Sequence, residues 1–225
     1  MIKKSEELLL LCWIWSFLFI LCPIQLPFLE WKNSLLLPLW NSFFRFIHLE
    51  ELPIFSDSLG FLLIILFSFL LALLSFLLAL KWIRKKIDTV LNVLNYILLT
   101  SVFVVFIKYG LDKMMLLQFP RPEPNLLYTE LKDFDKDLLF WTSMGTSSLF
   151  NYITGSIEIL GALFLLFYRT RRLGLMILLL SASYIVLLNF SFNIGVKLFS
   201  LMLLGTLLTL NWNTLGFLYR FLLGF

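Results

Sequence analysis

The sequence predicts an all-α integral membrane protein, a helical bundle with about six spans, and three observations carry that prediction. Of the 225 residues, 60% are hydrophobic and only 14% are charged, whereas soluble domains carry roughly a quarter charged residues. The apolar residues come in runs that approach or exceed the roughly twenty residues a bilayer requires. The basic residues gather at the ends of those runs, where positive charge sets orientation in a membrane. A net charge of +4 distributed in this way gives no reason to expect nucleic acid as a partner. The expected partner is the lipid bilayer.

The chain opens with Lys3 and Lys4, followed by an apolar run over 8–20. That order resembles a secretory signal, but Leu21, Cys22, Pro23, Ile24 and Gln25 do not form a small-residue cleavage site. Residues 8–29 are therefore expected to be a retained first span, kinked or ended near Pro23 or Pro27. Residues 30–59 mix apolar and charged positions, with Pro38 and Pro53 as expected breakers. Within them, 39–49 sets Trp40, Phe43, Phe44, Phe46 and Ile47 against Asn41, Arg45 and His48, a pattern suited to a helix lying in the interface. Residues 60–83 form the cleanest span, without charge before Lys81.

A third span is expected over 89–107, with Asn92, Asn95 and Thr100 near one face as candidate interhelical hydrogen-bonding groups. The polar stretch 108–151 follows, read as an outer loop with one or two short helices capping the bundle. Spans over 155–168 and 173–190, a turn over 193–196, a last span over 197–210 and an interfacial tail over 212–225 complete the reading. The expected organisation is thus 1–59 as an N-terminal transmembrane helix and interfacial loop, 60–211 as the bundle and 212–225 as the tail. Placing Lys3 and Lys4, the 81–86 cluster, the 169–172 cluster and Arg220 on one side requires an even number of crossings. Both termini are then cytoplasmic, and the acid-bearing segments, including Glu50, Glu51, Asp57 and Glu130, lie outside.

The residues that invite a functional reading begin at Lys108. Lys108, Asp112, Lys113 and Gln118 sit at or just beyond membrane depth, and Glu158 lies inside a span. Ionisable groups there are costly and usually face a bundle interior or a water-filled path. Cys12 and Cys22 are ten positions apart on one expected helix, too far to bond each other, and His48 has no Cys or His companion for a metal site. Paired carboxylates for hydrolysis, a Gly-rich phosphate loop, a Ser/His/Asp set and a CxxC pair are not visible in the sequence, so hydrolase, kinase and metalloenzyme readings have little support.

Four blocks carry a resemblance: FIKYGLDKMMLLQFPRP at 106–122, LLFWTSMG at 138–145, GSIEILGALFLLFYRTRRLG at 155–174 and LNFSFNIGVKL at 188–198. In order and spacing, the chain from about 90 to 210 resembles the DoxX-like family of small bacterial membrane proteins, of the Bacteroidota type. The resemblance implies a four-helix core with an added N-terminal helix, in a bacterial inner membrane. It also implies a link to quinone or thiol redox chemistry, because the family includes a membrane subunit of thiosulfate:quinone oxidoreductase and a maturation protein for methylamine dehydrogenase. The family's polar positions fall on Lys108, Gly110, Lys113, Gln118, Pro120, Glu158, Asn189 and Lys197. Lys113, Glu158 and Lys197 are expected to converge near the outer end of the bundle, with Gln118 and Asn189 supplying hydrogen bonds.

Two functions remain open at this level. One is a quinone-binding or redox-associated membrane component, with a polar pocket near the outer leaflet and a redox partner subunit. The other is a non-catalytic small transporter or an assembly or scaffold protein whose polar cluster is structural.

Overall fold

The computed structural model describes residues 4–23, 30–49, 53–54 and 57–222. Among them every regular element is a helix. In chain order these are α1 (Lys4–Leu21), α2 (Glu30–Phe46), α3 (Leu59–Ile83), α4 (Ile87–Met114), α5 (Pro124–Leu127), α6 (Lys136–Gly145), α7 (Ser148–Leu166), α8 (Arg171–Ser191), α9 (Lys197–Leu210) and α10 (Trp212–Leu222). Helices α3, α4, α7 and α8 are long and apolar enough to cross a membrane, which makes this a multi-pass membrane protein in contact with the lipid bilayer. In α3 the buried stripe of Phe61, Ile64, Ser68, Ala72 and Phe76 repeats at helical spacing. Its other face exposes Leu62, Leu66, Leu70, Leu74 and Leu78. A helix apolar on both faces is what lipid selects.

The chain divides into two compact units, one of Met1–Ser101 with Leu201–Phe225 and the other of Val102–Ser200. In the first, α1 packs along α3. The Trp13 indole N–H donates to Ser75 Oγ at 3.0 Å, and its ring stacks on Phe17 and meets Phe76 edge-on. The Cys12 thiol donates to Asn95 Oδ1 at 3.4 Å, which gives one of the polar positions of α4 its interhelical partner. Gly205 of α9 leaves room for the Trp15 indole, which a Cβ there would overlap. Helix α2 folds back on the end of α1. Lys32 Nζ donates to the Phe19 carbonyl and Trp40 Nε1 to the Leu21 carbonyl at 3.0 Å, so both reach carbonyls that a helix end leaves without an internal partner. Both cysteines are free and buried.

Several boundaries move relative to the sequence reading. Helix α4 continues seven residues beyond Ile107 to Met114, because its charged residues find partners instead of ending it. Helix α7 begins at Ser148, seven residues before the expected start, with the Ser147 hydroxyl accepting from the Phe150 N–H as an N-cap. Pro38 lies inside α2 and does not break it; the lost backbone donor falls on a helix that the Lys32 and Trp40 contacts hold in place. The 14 residues of α9 rise about 21 Å, short of the roughly 30 Å hydrocarbon thickness. Residues 24–29 with Pro27, the acids Glu50 and Glu51, and the side chains of Lys3, Lys4, Arg84 and Arg220 lie outside what is described.

Candidate functional site

Two glycines build the site in the second unit. A Cβ on Gly155 of α7 would stand 2.6 Å from the Gly110 carbonyl of α4, and one on Gly110 would stand 2.9 Å from the Gly155 carbonyl and 2.7 Å from Ile159 Cγ1. Only residues without a side chain let the two backbones approach this closely. Gly110 faces Ile159 while Lys113 and Met114 face Gly155, so the residue numbers run in opposite senses and the helices are antiparallel. Side chains on a helix lean toward its N-terminus. Lys113 and Glu158, each three residues past the crossing on its own helix, therefore lean back toward it. They meet as an ion pair between Lys113 Nζ and Glu158 Oε1, with side chains only 9% and 3% exposed.

The pair leaves one atom unsatisfied. Glu158 Oε2 is buried and has no hydrogen-bond partner. On the neighbouring face of α4, Lys108 pairs with Asp112 one turn away. Helix α4 then ends with Leu116 at φ 56°. The Leu117 N–H bonds the Asp112 carbonyl at 2.8 Å and the Leu116 N–H bonds the Lys113 carbonyl at 3.1 Å, the pattern of a helix terminated by a left-handed residue. A leucine in that conformation costs about 1–2 kcal/mol. The turn reverses the chain and delivers Gln118 and Phe119.

Phe119, Phe140 of α6 and Ile194 in the α8–α9 turn form a buried cluster, against which Trp141, Met144, Leu188, Phe192 and Val196 pack. Ring centroids lie 5.2 Å apart for Phe119 and Trp141 and 5.2 Å for Phe140 and Phe192. Several polar residues stand next in sequence to members of this cluster. Gln118 precedes Phe119, Thr142 follows Trp141, Asn189 follows Leu188, and Asn151 Nδ2 donates to the Met144 carbonyl at 3.1 Å. Gln118 Oε1, Thr142 Oγ1, Asn151 Oδ1 and Asn189 Nδ2 are buried without a hydrogen-bond partner. Buried polar groups usually find one; in the first unit Ser16 Oγ and Ser68 Oγ share this condition.

Of the residues singled out in the sequence, the fold brings Lys113 to Glu158 and Lys108 to Asp112, while Gln118 and Asn189 are sequence neighbours of Phe119 and Leu188 in the cluster. Lys197 Nζ donates to the Ile194 carbonyl at 3.0 Å, tying it to the same turn. Asn151 and Thr142 were missed. Asn151 had a signal: it precedes Gly155 by four residues and Glu158 by seven, the spacing of one helix face. Among the described residues no group of three or more His, Cys, Asp or Glu side chains is placed to hold a metal ion. What the arrangement offers chemically is a buried charge pair with one carboxylate oxygen that has no hydrogen-bond partner.

No protein-family model matches the chain, and no solved structure matches it. A relative from Bacillus subtilis (strain 168), described as the uncharacterized protein YwoB, is 36% identical over 107 residues, which are 48% of this chain and 68% of the relative. With that identity over that share of the relative, the chain belongs to the family of the uncharacterized YwoB protein.

Proposed function

We propose that this protein is a redox-associated membrane component whose second unit binds the polar headgroup of a quinone-like amphiphile near the outer leaflet. The observation that carries the reading is the set of buried, unpartnered polar atoms beside an ion pair, with Glu158 Oε2 and Asn151 Oδ1 foremost. A network that served only to hold helices together would gain from closing on itself, since each unsatisfied buried group costs about 1–3 kcal/mol. The aromatic surface of Phe119, Phe140 and Trp141 supplies the flat apolar wall that a ring headgroup needs. The DoxX-like resemblance of the blocks at 106–122, 138–145, 155–174 and 188–198 supports the same chemistry. An electron-transferring partner subunit belongs to this reading, because the described residues hold no redox group of their own.

The proposed topology adds α1 and α9 to the four long helices, giving six spans in a bacterial inner membrane with both termini cytoplasmic. It is supported by the apolar sequences of α1 and α9 and by the basic clusters at 81–86 and 169–172, which an even number of crossings puts on one side.

A second reading has its own observation. The Gly110–Gly155 crossing and the Lys113–Glu158 pair could act purely as a clamp that fixes helix register, in a small transporter or an assembly or scaffold protein. Extraction in mild detergent and mass spectrometry of co-purifying lipids, quinones and proteins separates the two. The comparison is between the wild type, Glu158→Gln and Lys197→Met. Loss of a bound quinone or partner in both variants is the expected result, with melting temperature unchanged in Lys197→Met, whereas Glu158→Gln also loses stability because Lys113 stays buried without its counter-charge. If nothing co-purifies and both variants melt earlier, the site is structural.

A further inference from the structure

We infer that α2 is an in-plane membrane helix: a stripe of Leu35, Leu39 and Phe46 lies among the acyl chains of one phospholipid leaflet, and the adjoining arc of Ser34, Asn41 and Arg45 lies at its headgroups. The inference is independent of the ligand-binding reading above, since it concerns the first unit alone.

The fold divides α2 into three faces. At 3.6 residues per turn, Leu35, Leu39 and Phe46 fall within about 40° of one another around the helix, and they are 59%, 65% and 81% exposed. Ser34, Asn41 and Arg45 are also exposed. They fall within a second arc of about 40°, centred roughly 120° from the first. The third face belongs to the protein. Trp40 and Phe44 are buried there, and the Phe43 ring meets Phe67 of α3 edge-on at 4.8 Å between centroids. From the sequence, Trp40, Phe43, Phe44 and Ile47 were expected to join Phe46 on the membrane side; the fold turns Trp40 and Phe44 inward and leaves a different stripe outside. Protein, hydrocarbon and water are the three surroundings of a helix that lies against a bundle in the plane of a bilayer.

The neighbours of α2 fix its direction and depth. Trp40 and Phe43, one turn apart, touch Leu21 of α1 and Phe67 of α3, so residues 21 and 67 lie at one level. Trp13 beside Ser75 marks a second level, eight residues away on both helices, and α1 and α3 therefore run antiparallel. Helix α2 runs alongside neither of them; it crosses both at the first level. The first charge in α3 is Lys81. A hydrocarbon layer of roughly 30 Å measured back from it ends near residue 61, about 9 Å beyond the level of Phe67. Amphipathic helices bury their apolar faces to about that depth, roughly 5–10 Å. The stripe is also continuous with lipid-facing surface, since Leu62, Leu66 and Leu70 of α3 are exposed on either side of the same level. At that depth Arg45 extends its guanidinium to the phosphates, a charge-assisted contact.

The test is electron paramagnetic resonance of spin labels on the full chain in nanodiscs of phosphatidylcholine and phosphatidylglycerol. Single cysteines are introduced by Leu35→Cys, Leu39→Cys and Phe46→Cys on the stripe and by Ser34→Cys, Asn41→Cys and Arg45→Cys on the arc, in a background carrying Cys12→Ser and Cys22→Ala. Leu70→Cys, on the exposed face of α3, is the reference for acyl-chain contact. Power saturation compares collisions with oxygen, which concentrates in hydrocarbon, and with a water-soluble nickel chelate. The ratio of oxygen to nickel collisions is expected to be several-fold higher on the stripe than on the arc and close to that of Leu70→Cys. A ratio as low on the stripe as on the arc would show that α2 lies in water. Suppressed collisions with both reagents at the stripe would show that a protein surface, another chain or a second copy, covers it. Either result overturns the inference. All six positions are exposed, so the labels leave the core undisturbed and the contrast rests on two sets of three rather than on one variant.

Discussion

The two units of this protein treat polar groups inside a membrane in different ways. In the first, the contacts that stitch helices together are hydrogen bonds from neutral side chains, Trp13 to Ser75 and Cys12 to Asn95. A cationic contact there, from Lys32, falls at the end of α1. In the second, a carboxylate and an ammonium are buried together at a glycine crossing, and the second oxygen of that carboxylate has no partner. Neutral hydrogen bonds between membrane helices contribute about 0.6–2 kcal/mol and are sufficient to hold a bundle. A charged pair with incomplete surroundings is a poor choice for that purpose, since hydrophobic replacements of a buried pair are often equally stable. The buried charge pair is the reason the proposed site is placed in the second unit.

The comparison breaks most readily at the glycine crossing. Gly155→Leu places a branched side chain where a Cβ already meets the Gly110 carbonyl at 2.6 Å and Lys113 Cβ at 3.1 Å. A loss of at least about 3 kcal/mol, at the upper end for overpacking, is expected in thermal unfolding in detergent. Gly195→Ala, at a glycine with nothing within 4 Å of its would-be Cβ, is expected to change stability by less than about 0.5 kcal/mol. Comparable losses from both would mean that the crossing is looser than drawn.

Next in size is Lys113→Met. Glu158 then stays buried without its counter-charge, at an expected cost of about 3–5 kcal/mol, unless the carboxyl takes up a proton. Stability of this variant should therefore recover as pH falls, which the wild type should not show, and melting curves over a range of pH check it. In the first unit, Trp13→Phe keeps the ring contacts with Phe17 and Phe76 and removes only the bond to Ser75. The expected loss is about 0.5–1.5 kcal/mol, and a larger one would show that the neutral stitching is worth more than the contrast between the units assumes.

The smallest effect concerns Lys32. Burial lowers its ammonium pKa from 10.5 to about 8, opposed by the nearby Cys22. A folded-state value below the unfolded one means that the neutral form is favoured by folding. The associated stability is fully present above pH 10.5 and is lost as pH falls toward 8. Lys32→Met should flatten the stability profile between those limits, and an unchanged slope would show that Lys32 is solvated.

Much of this fold was legible in the sequence because lipid imposes a simple pattern. Helix α3 was expected over 60–83 and is Leu59–Ile83, and α9 was expected over 197–210 and is Lys197–Leu210. The reading failed where charge was taken as the end of a helix. Lys108, Asp112 and Lys113 continue α4 because two of them pair along it and the third reaches Glu158, a tertiary fact that no local pattern contains. Asn151 and Tyr152 likewise hid the first two turns of α7. Lys108, Asp112, Lys113 and Glu158 were singled out in the sequence, but not their division into two ion pairs on neighbouring faces of α4, and Asn151 and Thr142 were missed.

The central claim, that the charge pair of the second unit serves binding and not stability, is tested most directly by the charge-free double variant Lys113→Met with Glu158→Met. Melting temperature and bound small molecules would be measured together with those of the wild type. The account predicts a folded protein within about 1 kcal/mol of the wild type that no longer retains its amphiphile. A double variant that loses several kcal/mol while keeping whatever the wild type carries would contradict it.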